Sequence, residues 1–433
     1  MSANKTEKLA MHGGTPVRRQ PYPLFPDYGD EEIQAAVEVL RSGKLARQSG
    51  SKVSEFEVAF AEKFKVRHAI AISSGTAAIH TALAALKVGP GDDVINTPHC
   101  FIGTATPVVH AGAVPIFADI DSRTFNIEPT SIESRITPYT KAIIPVHLNG
   151  CPADLDPILE IADRHNLYVV EDAAQAHGAR YKGNYVGTIG AIGCFSFWED
   201  KLITTAGEGG MVITNDSELA RRARLFHHHG EDRQDGTYYQ GERLYYHASL
   251  GYNFRMTEIQ GAIGLAQLKK LDGYISQRRK HAHALSTLLS NCESVIPPYE
   301  PPDVFHVFYK YILRLNRQVL GVSAKDFVEA LRAEGILCSR RYPTPLHQQP
   351  LFTNKRGFGR TSAPFSPPWY LGRVQYGSGS PVAESLPNDL VQLVMRPTFT
   401  EIDLELISKA INKVTHYYLN QNSNGIGRIQ SLQ

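Results

Sequence analysis

His68-Ala69-Ile70-Ala71-Ile72-Ser73-Ser74-Gly75-Thr76-Ala77-Ala78-Ile79 begins as a short apolar strand, passes through small residues, and continues into a helix marked by Ile79, Leu83 and Leu86. A helix that starts straight off a strand leaves its first amide N–H groups free, and its dipole is positive there. The stretch can therefore hold an anion such as a phosphate, although alone it also reads as an ordinary turn capped by serine or threonine. The same alternation continues downstream. Val94-Ile95-Asn96 reads as a strand, Gly103 to His110 as a helix, Val114 to Phe117 and Ala142 to Val146 as strands, and Leu167 to Val170 as another after a helix with Asp156 and Pro157 in its first turn. Repeated β/α alternation predicts an α/β fold, a mostly parallel sheet sandwiched by helices, whose ligands gather at the carboxyl ends of the strands. Thr76, Phe101 and Asp172 fall at such ends. Upstream, Asp30–Leu40 and Val53–Phe64 have helical apolar spacing, and residues 1–27, with four prolines, read as an extended arm.

A second stretch carries the chemistry. Cys194-Phe195-Ser196-Phe197 is strand-like, Trp198-Glu199-Asp200-Lys201 follows, and Gly207-Glu208-Gly209-Gly210 turns the chain into the strand Met211-Val212-Ile213-Thr214. A lysine held between two buried strands is easily desolvated, which lowers its pKa and frees a neutral amine to attack carbonyls. Taken alone, the stretch also reads as a hairpin with a surface lysine. Further on, Ser217–Phe226 reads as a helix. Thr257-Glu258-Ile259-Gln260 has capping-box spacing at the head of a long helix, and further helices are expected near 324–334 and 400–414. Residues 344–387, rich in proline, glycine and serine, are long for a loop and read as a lid or a mobile segment. The polar tail 420–433 is expected to be disordered. The predicted division is a large α/β domain over 1–270, including the arm, and a smaller C-terminal α+β domain over 271–433.

Composition narrows the function. The 433 residues are 42% apolar, and 45 basic against 43 acidic residues leave a net charge of +2. That balance offers no electrostatic case for nucleic acid or membrane partners and points to small molecules. Five cysteines at wide spacing suggest neither a disulfide framework nor a zinc site, and no stretch has the ~18–20 apolar residues of a membrane span. A cytoplasmic protein is expected. His227-His228-His229 cannot share one metal on a regular element because adjacent side chains diverge, so no metal is expected; the following Glu231-Asp232-Arg233 reads as a solvated loop.

A lysine in a strand turn, a carboxylate and an aromatic at neighbouring strand ends, and a phosphate-cradling helix start form the set that pyridoxal phosphate requires. Gly75-Thr76-Ala77, Pro145-Val146-His147-Leu148, Glu171-Asp172-Ala173-Ala174-Gln175-Ala176-His177-Gly178, Phe195-Ser196-Phe197 before Lys201, Gly207-Glu208-Gly209-Gly210 and Gly251-Tyr252-Asn253-Phe254-Arg255-Met256-Thr257-Glu258 resemble, in order, the motifs of the DegT/StrS sugar aminotransferases. The resemblance covers roughly residues 11–340 and returns at 393–406. It implies a fold-type I enzyme dependent on pyridoxal 5′-phosphate, with the pyridoxamine form as intermediate. Lys201 is then the Schiff-base lysine and proton shuttle, and Asp172 the partner of the pyridinium nitrogen. Gln175 lies near the phenolic oxygen, Phe101 stacks on the ring, and Gly75, Thr76, Ala77 and Ser196 hold the phosphate. Asn253 reaches that phosphate from the second subunit of a homodimer. Tyr342 and His347 resemble the substrate-side motif, and Arg341 or Arg340 could meet a donor carboxylate.

The implied reaction moves an amino group from glutamate or glutamine to a keto-sugar, nucleotide-linked, with a keto-cyclitol as the alternative acceptor. The long segment after His347 is closer to the subgroup acting on cyclitol ketones or on aminobenzoate precursors, and Trp198-Glu199-Asp200 ahead of the lysine departs from the family pattern. Dehydratases of the same family carry histidine in place of the lysine, which argues against deoxygenation. A regulator built on this fold would need a DNA-binding module that the chain does not supply.

Overall fold

The computed structural model describes residues 7–232, 238–239, 242–243 and 246–430. Its centre is a seven-stranded sheet formed by β1 (His68–Ile72), β2 (Asp93–Asn96), β3 (Val114–Phe117), β4 (Thr140–Ile143), β5 (Tyr168–Asp172), β6 (Ile192–Ser196) and β7 (Gly210–Thr214), in the order β1-β7-β6-β5-β4-β2-β3. Only β7 runs against the rest, pairing antiparallel with both β1 and β6. The expected mostly parallel sheet is thus present. Four of the five residues of β1 and every residue of β2, β3, β6 and β7 are buried, as strands covered on both faces must be.

Helices α1 (Asp30–Ser42), α2 (Lys52–Phe64) and α3 (Gly75–Ala85) fall where apolar spacing placed them. On one face of the sheet, α2 lays Phe56, Phe60 and Phe64 over Phe195 and Phe197. Phe60 stacks on Phe64 at 4.3 Å and meets Phe195 edge-on at 5.2 Å. Each such pair adds about 0.5–1.5 kcal/mol beyond burial. Strand alternation sends Cys194 and Ser196 to the opposite face, toward α3. Register then aligns Ile72, Gly210 and Ser196 in one row across β1, β7 and β6, and Asp172 opposite Cys194. The carboxyl ends of these strands meet at one place.

The 31-residue helix Glu258–Leu288 opens on the expected capping box, with Gln260 Oε1 accepting from the Thr257 amide at 2.9 Å. Its first half packs in the core below the sheet through Leu268, Leu271 and Ile275, and its second half joins another core through Ala282 and Leu285. That second core lies on a four-stranded antiparallel sheet of Val295–Ile296, Lys310–Leu315, Leu390–Val394 and Cys338–Arg340. Residue 270, the expected division, lies inside this continuous helix. The strand Lys310–Leu315 begins after Phe308 adopts φ 47°.

Four expectations need correction. The part of the N-terminal arm described is packed on the chain's own second core, where Leu9 is fully buried and Arg18 pairs with Asp403 at 2.5 Å. Segment 344–387 is neither open nor a lid: Phe352, Phe365 and Tyr370 are buried in the core at the β2–β3 edge. Tyr370 donates to Asp93 at 2.7 Å and Tyr376 to the Pro115 carbonyl at 2.8 Å. The tail is helical as far as Gln430, continuing Glu401–Gln430, and Asn422 anchors it by donating to the Leu320 carbonyl at 2.7 Å; residues 431–433 lie outside those described. Glu231 is buried and 2.6 Å from His228 Nε2 rather than solvated, while Arg233 also lies outside the described residues.

Candidate active site

Lys201 follows β6 in a loop that closes on itself. Its own amide donates to the Trp198 carbonyl at 2.9 Å, Phe197 donates to Gly209 O at 2.7 Å, and Glu199 donates to Gly207 O at 3.0 Å. Ala206 and Gly207 take positive φ, 63° and 115°, which turns the chain back into β7. The Lys201 ammonium sits 4.9 Å from the centre of the Tyr309 ring and 5.9 Å from that of Trp198. Removal from water lowers its pKa to about 8, against the opposing pull of Asp172 and with the Arg341 and Lys310 cations adding to the fall. A neutral amine is therefore available near neutral pH.

Asp172 ends β5, with 4% of its surface exposed. Its Oδ2 accepts from Thr104 Oγ1 at 2.7 Å and its Oδ1 from the Ala174 amide at 3.1 Å, so the carboxylate is fixed in place. Behind it, Glu171 is wholly buried and accepts from the amides of Gly187, Ile189 and Gly190 and from His147 at 3.0 Å. That neighbour shapes the wall.

At the head of α3, Ser74 Oγ accepts from the Ala77 amide at 3.1 Å. Gly75 is required by contact: a Cβ there would lie 2.6 Å from the Ser196 Cβ. Ser196 is thereby brought against the first turn of α3. Thr76 Oγ1 and the Phe101 ring both flank Gly103, at 2.7 and 3.0 Å from where a Cβ would stand. Phe101 is 60% exposed and covers the mouth of this cradle. Gly75, Thr76, Ala77, Ser196 and Phe101 thus form one cluster at the ends of β1, β2 and β6.

On the far wall, Gln175 Oε1 accepts from the Asn149 amide at 3.0 Å and from Arg341 at 2.7 Å, and its Nε2 donates to Tyr342 OH at 3.2 Å. Arg341 also donates to Gln392 Oε1 at 2.7 Å and lies 3.9 Å over the Tyr342 ring. Among the described residues no carboxylate pairs with this buried cation. His347 is not part of the group. It lies beside Phe117 at the end of β3, three strands from β5, with its Nε2 3.0 Å from Glu384. Asn253 is exposed, on a segment whose neighbour Phe254 accepts from the Ser73 amide at 2.8 Å.

Sequence reasoning missed several members. Lys310, 4% exposed, forms a salt bridge with Asp200, and its ammonium lies 4.6 Å from the centre of the same Tyr309 ring that Lys201 meets. Burial lowers Lys310 to about 8, with Asp200 opposing. Thr104, the hydroxyl on Asp172, had one signal, its place three residues after Phe101. His99 is buried edge-on against Tyr342 at 5.4 Å and driven to about 3 by burial, so it is neutral.

Comparison with known proteins gives the lineage. Residues 26–374 match the DegT/DnrJ/EryC1/StrS aminotransferase family. The chain is 43% identical over 306 residues to GDP-perosamine synthase of Caulobacter vibrioides, covering 70% of this chain and 80% of that protein. It is 37% identical over 393 residues to UDP-N-acetyl-3-dehydro-alpha-D-glucosamine 3-aminotransferase of Acidithiobacillus ferrooxidans, covering 90% and 96%. An aminotransferase from Psychrobacter cryohalolentis, solved by X-ray, superposes with a TM-score of 0.82 at 35% identity, covering 91% of this chain and 98% of that one. With its fold-type I architecture, the chain belongs to the DegT/DnrJ/EryC1/StrS family and is an aminotransferase.

Proposed function

We propose that this aminotransferase uses pyridoxal 5′-phosphate to carry an amino group from glutamate or glutamine to a nucleotide-linked keto-sugar. The observation that carries the reading is the amine of Lys201, lowered to about 8 and within electrostatic reach of the fixed carboxylate of Asp172. The residues fit the group: the Gly75–Ser196 contact leaves a cradle at a helix start, where a phosphate is stabilised by free amides and the hydroxyls of Thr76 and Ser196. The names of the two relatives above support a nucleotide sugar as acceptor.

When bound, pyridoxal phosphate supplies an aldehyde that exchanges with amines and a ring that spreads the electron pair left by proton removal. Asp172, oriented by Thr104 and the Ala174 amide, would keep a proton on the pyridine nitrogen. Lys201 would carry the proton from the donor α-carbon and, in the reverse sense, supply one for the ketone carbon. Tyr309 and Trp198 flank its ammonium and limit where it can swing. Phe101 would cover one face of the ring and Gln175 would stand toward its phenolic oxygen. Arg341, a buried cation held only by neutral amides, offers the donor carboxylate a two-pronged contact.

The working unit in this reading is a cytoplasmic homodimer. Asn253 is contributed to the phosphate site of a second copy, in keeping with its exposure beside Leu250 and Tyr252, which are 80% and 41% exposed. Among the described residues no helix is long and apolar enough to cross a membrane.

Borohydride reduction of the cofactor-loaded enzyme, followed by peptide mapping, is expected to label Lys201. Lys201→Ala is expected to lose both the label and turnover. Screening the aminated enzyme against nucleotide keto-sugars and keto-cyclitols identifies the acceptor. An unlabelled Lys201, or an active alanine variant, overturns the proposal.

A further inference from the structure

A cleft of about 750 Å³ lies between the β3 edge of the large sheet and the segment that covers it. Its size is that of a small-molecule site, about 300–1,000 Å³. Arg135, Lys355 and Arg373 line it, and no aspartate or glutamate does. None of the three is ion-paired among the described residues: Arg135 donates to the Gly379 carbonyl, and its Nε has no hydrogen-bond partner. His347, also in the wall, is 2% exposed; Glu384 holds its Nε2 at 3.0 Å, while its buried Nδ1 has no partner. Another arginine-rich cavity, lined by Arg47, Arg221 and Arg224, differs in that Glu57, Glu218 and Asp232 pair with these residues. Cations facing one cleft without counter-ions repel each other, and an anion relieves that repulsion.

Tyr376 is half-buried beside the cations, with the buried Phe117 and Phe365 packed against it, and Ser134, Ser366 and Ser378 add hydroxyls. Phosphate oxygens are the chemistry that unpaired guanidinium, ammonium and hydroxyl donors recognise. The cleft stands apart from Lys201: β3 is four strands from β6, the strand that leads into Lys201, or roughly 19 Å at the usual strand spacing. We propose that this cleft binds the phosphate groups of a nucleotide. The proposal is independent of the transamination reading, which the glutamate half-reaction tests separately.

The cofactor-loaded enzyme is titrated calorimetrically with GDP, UDP and inorganic diphosphate at low and high salt, beside the double variant Lys355→Glu/Arg373→Glu. Both positions are partly or fully exposed, so the fold tolerates the change, and an unaltered half-reaction with glutamate verifies it. Nucleotide binding is expected to weaken with salt and to fall roughly ten- to a hundredfold in the variant. If the KM for the nucleotide keto-sugar rises in step, the bound phosphate belongs to the substrate's carrier. If that KM is unmoved while nucleotide binding is lost, the ligand is a separate free nucleotide. Binding that is absent at millimolar nucleotide, or equal in wild type and variant, refutes the site.

Discussion

Replacing Lys310 by methionine tests how the reactive lysine is tuned. The Lys201 and Lys310 ammonium groups lie 4.9 and 4.6 Å from the centre of the same Tyr309 ring, and Asp200 pairs with Lys310. The two ammonium groups can therefore be no more than about 9.5 Å apart, and at an effective dielectric of about 20 they repel by about 1.7 kcal/mol or more, a little over one pKa unit. Removing the Lys310 charge also leaves the Asp200 carboxylate uncompensated, which favours protonated Lys201 in the same sense. Lys310→Met is therefore expected to raise the Lys201 pKa from about 8 to roughly 9 or above. Only the neutral amine attacks an aldehyde, so the rate at which the cofactor-free protein takes up pyridoxal phosphate should rise with pH through an inflection near 8 in the wild type. In Lys310→Met the inflection moves up by about one unit, and uptake at pH 7.5 slows about tenfold. Asp200→Asn shifts it the other way, and the double variant returns toward the wild type, because it removes the pair as a unit. Identical inflections in all four proteins would refute the argument.

If Asp172 partners the ring nitrogen as proposed, Asp172→Asn removes a charge that would stabilise the nitrogen's proton by about 5 kcal/mol at ~3 Å, so single-turnover reaction with glutamate should slow by roughly three to four orders of magnitude. Thr104→Val, which leaves the carboxylate in place but loses its 2.7 Å donor, should cost about tenfold in the same assay. Glu334 is fully buried and accepts from Lys413 at 2.9 Å and from the amides of Ala10 and Val17. Glu334→Gln should lower stability by about 3–5 kcal/mol in urea and open residues 7–20 to proteases. An unchanged midpoint would show that Lys413 finds another partner.

Much of the frame was legible because it is local. The apolar runs of β1 and β6, the phenylalanines of α2 and the capping box at Thr257 each carry their signal within a few residues. The site was legible where strand ends deliver it, at Thr76, Asp172 and Lys201. The Asp200–Lys310 bridge was not, since 110 residues separate its partners and each side chain alone reads as a surface charge. Arg341 was legible as a cation, but its hold on Gln175 depends on how two sheets meet. His347 was misplaced because a motif names neighbours in the chain and not in space. Segment 344–387 carries no periodicity, so the burial of Phe352, Phe365 and Tyr370 left no pattern to find.

That same segment bears on how the protein is made. Strand β3 is the last in its sheet, and the residues that cover it, with Tyr376 donating to the Pro115 carbonyl, are translated more than 230 positions later. Until they emerge, a nascent chain presents a bare sheet margin ready to pair with another copy. Truncation before residue 350 should consequently yield aggregates of the ribosome-released product, even though Lys201 and Asp172 are already synthesised.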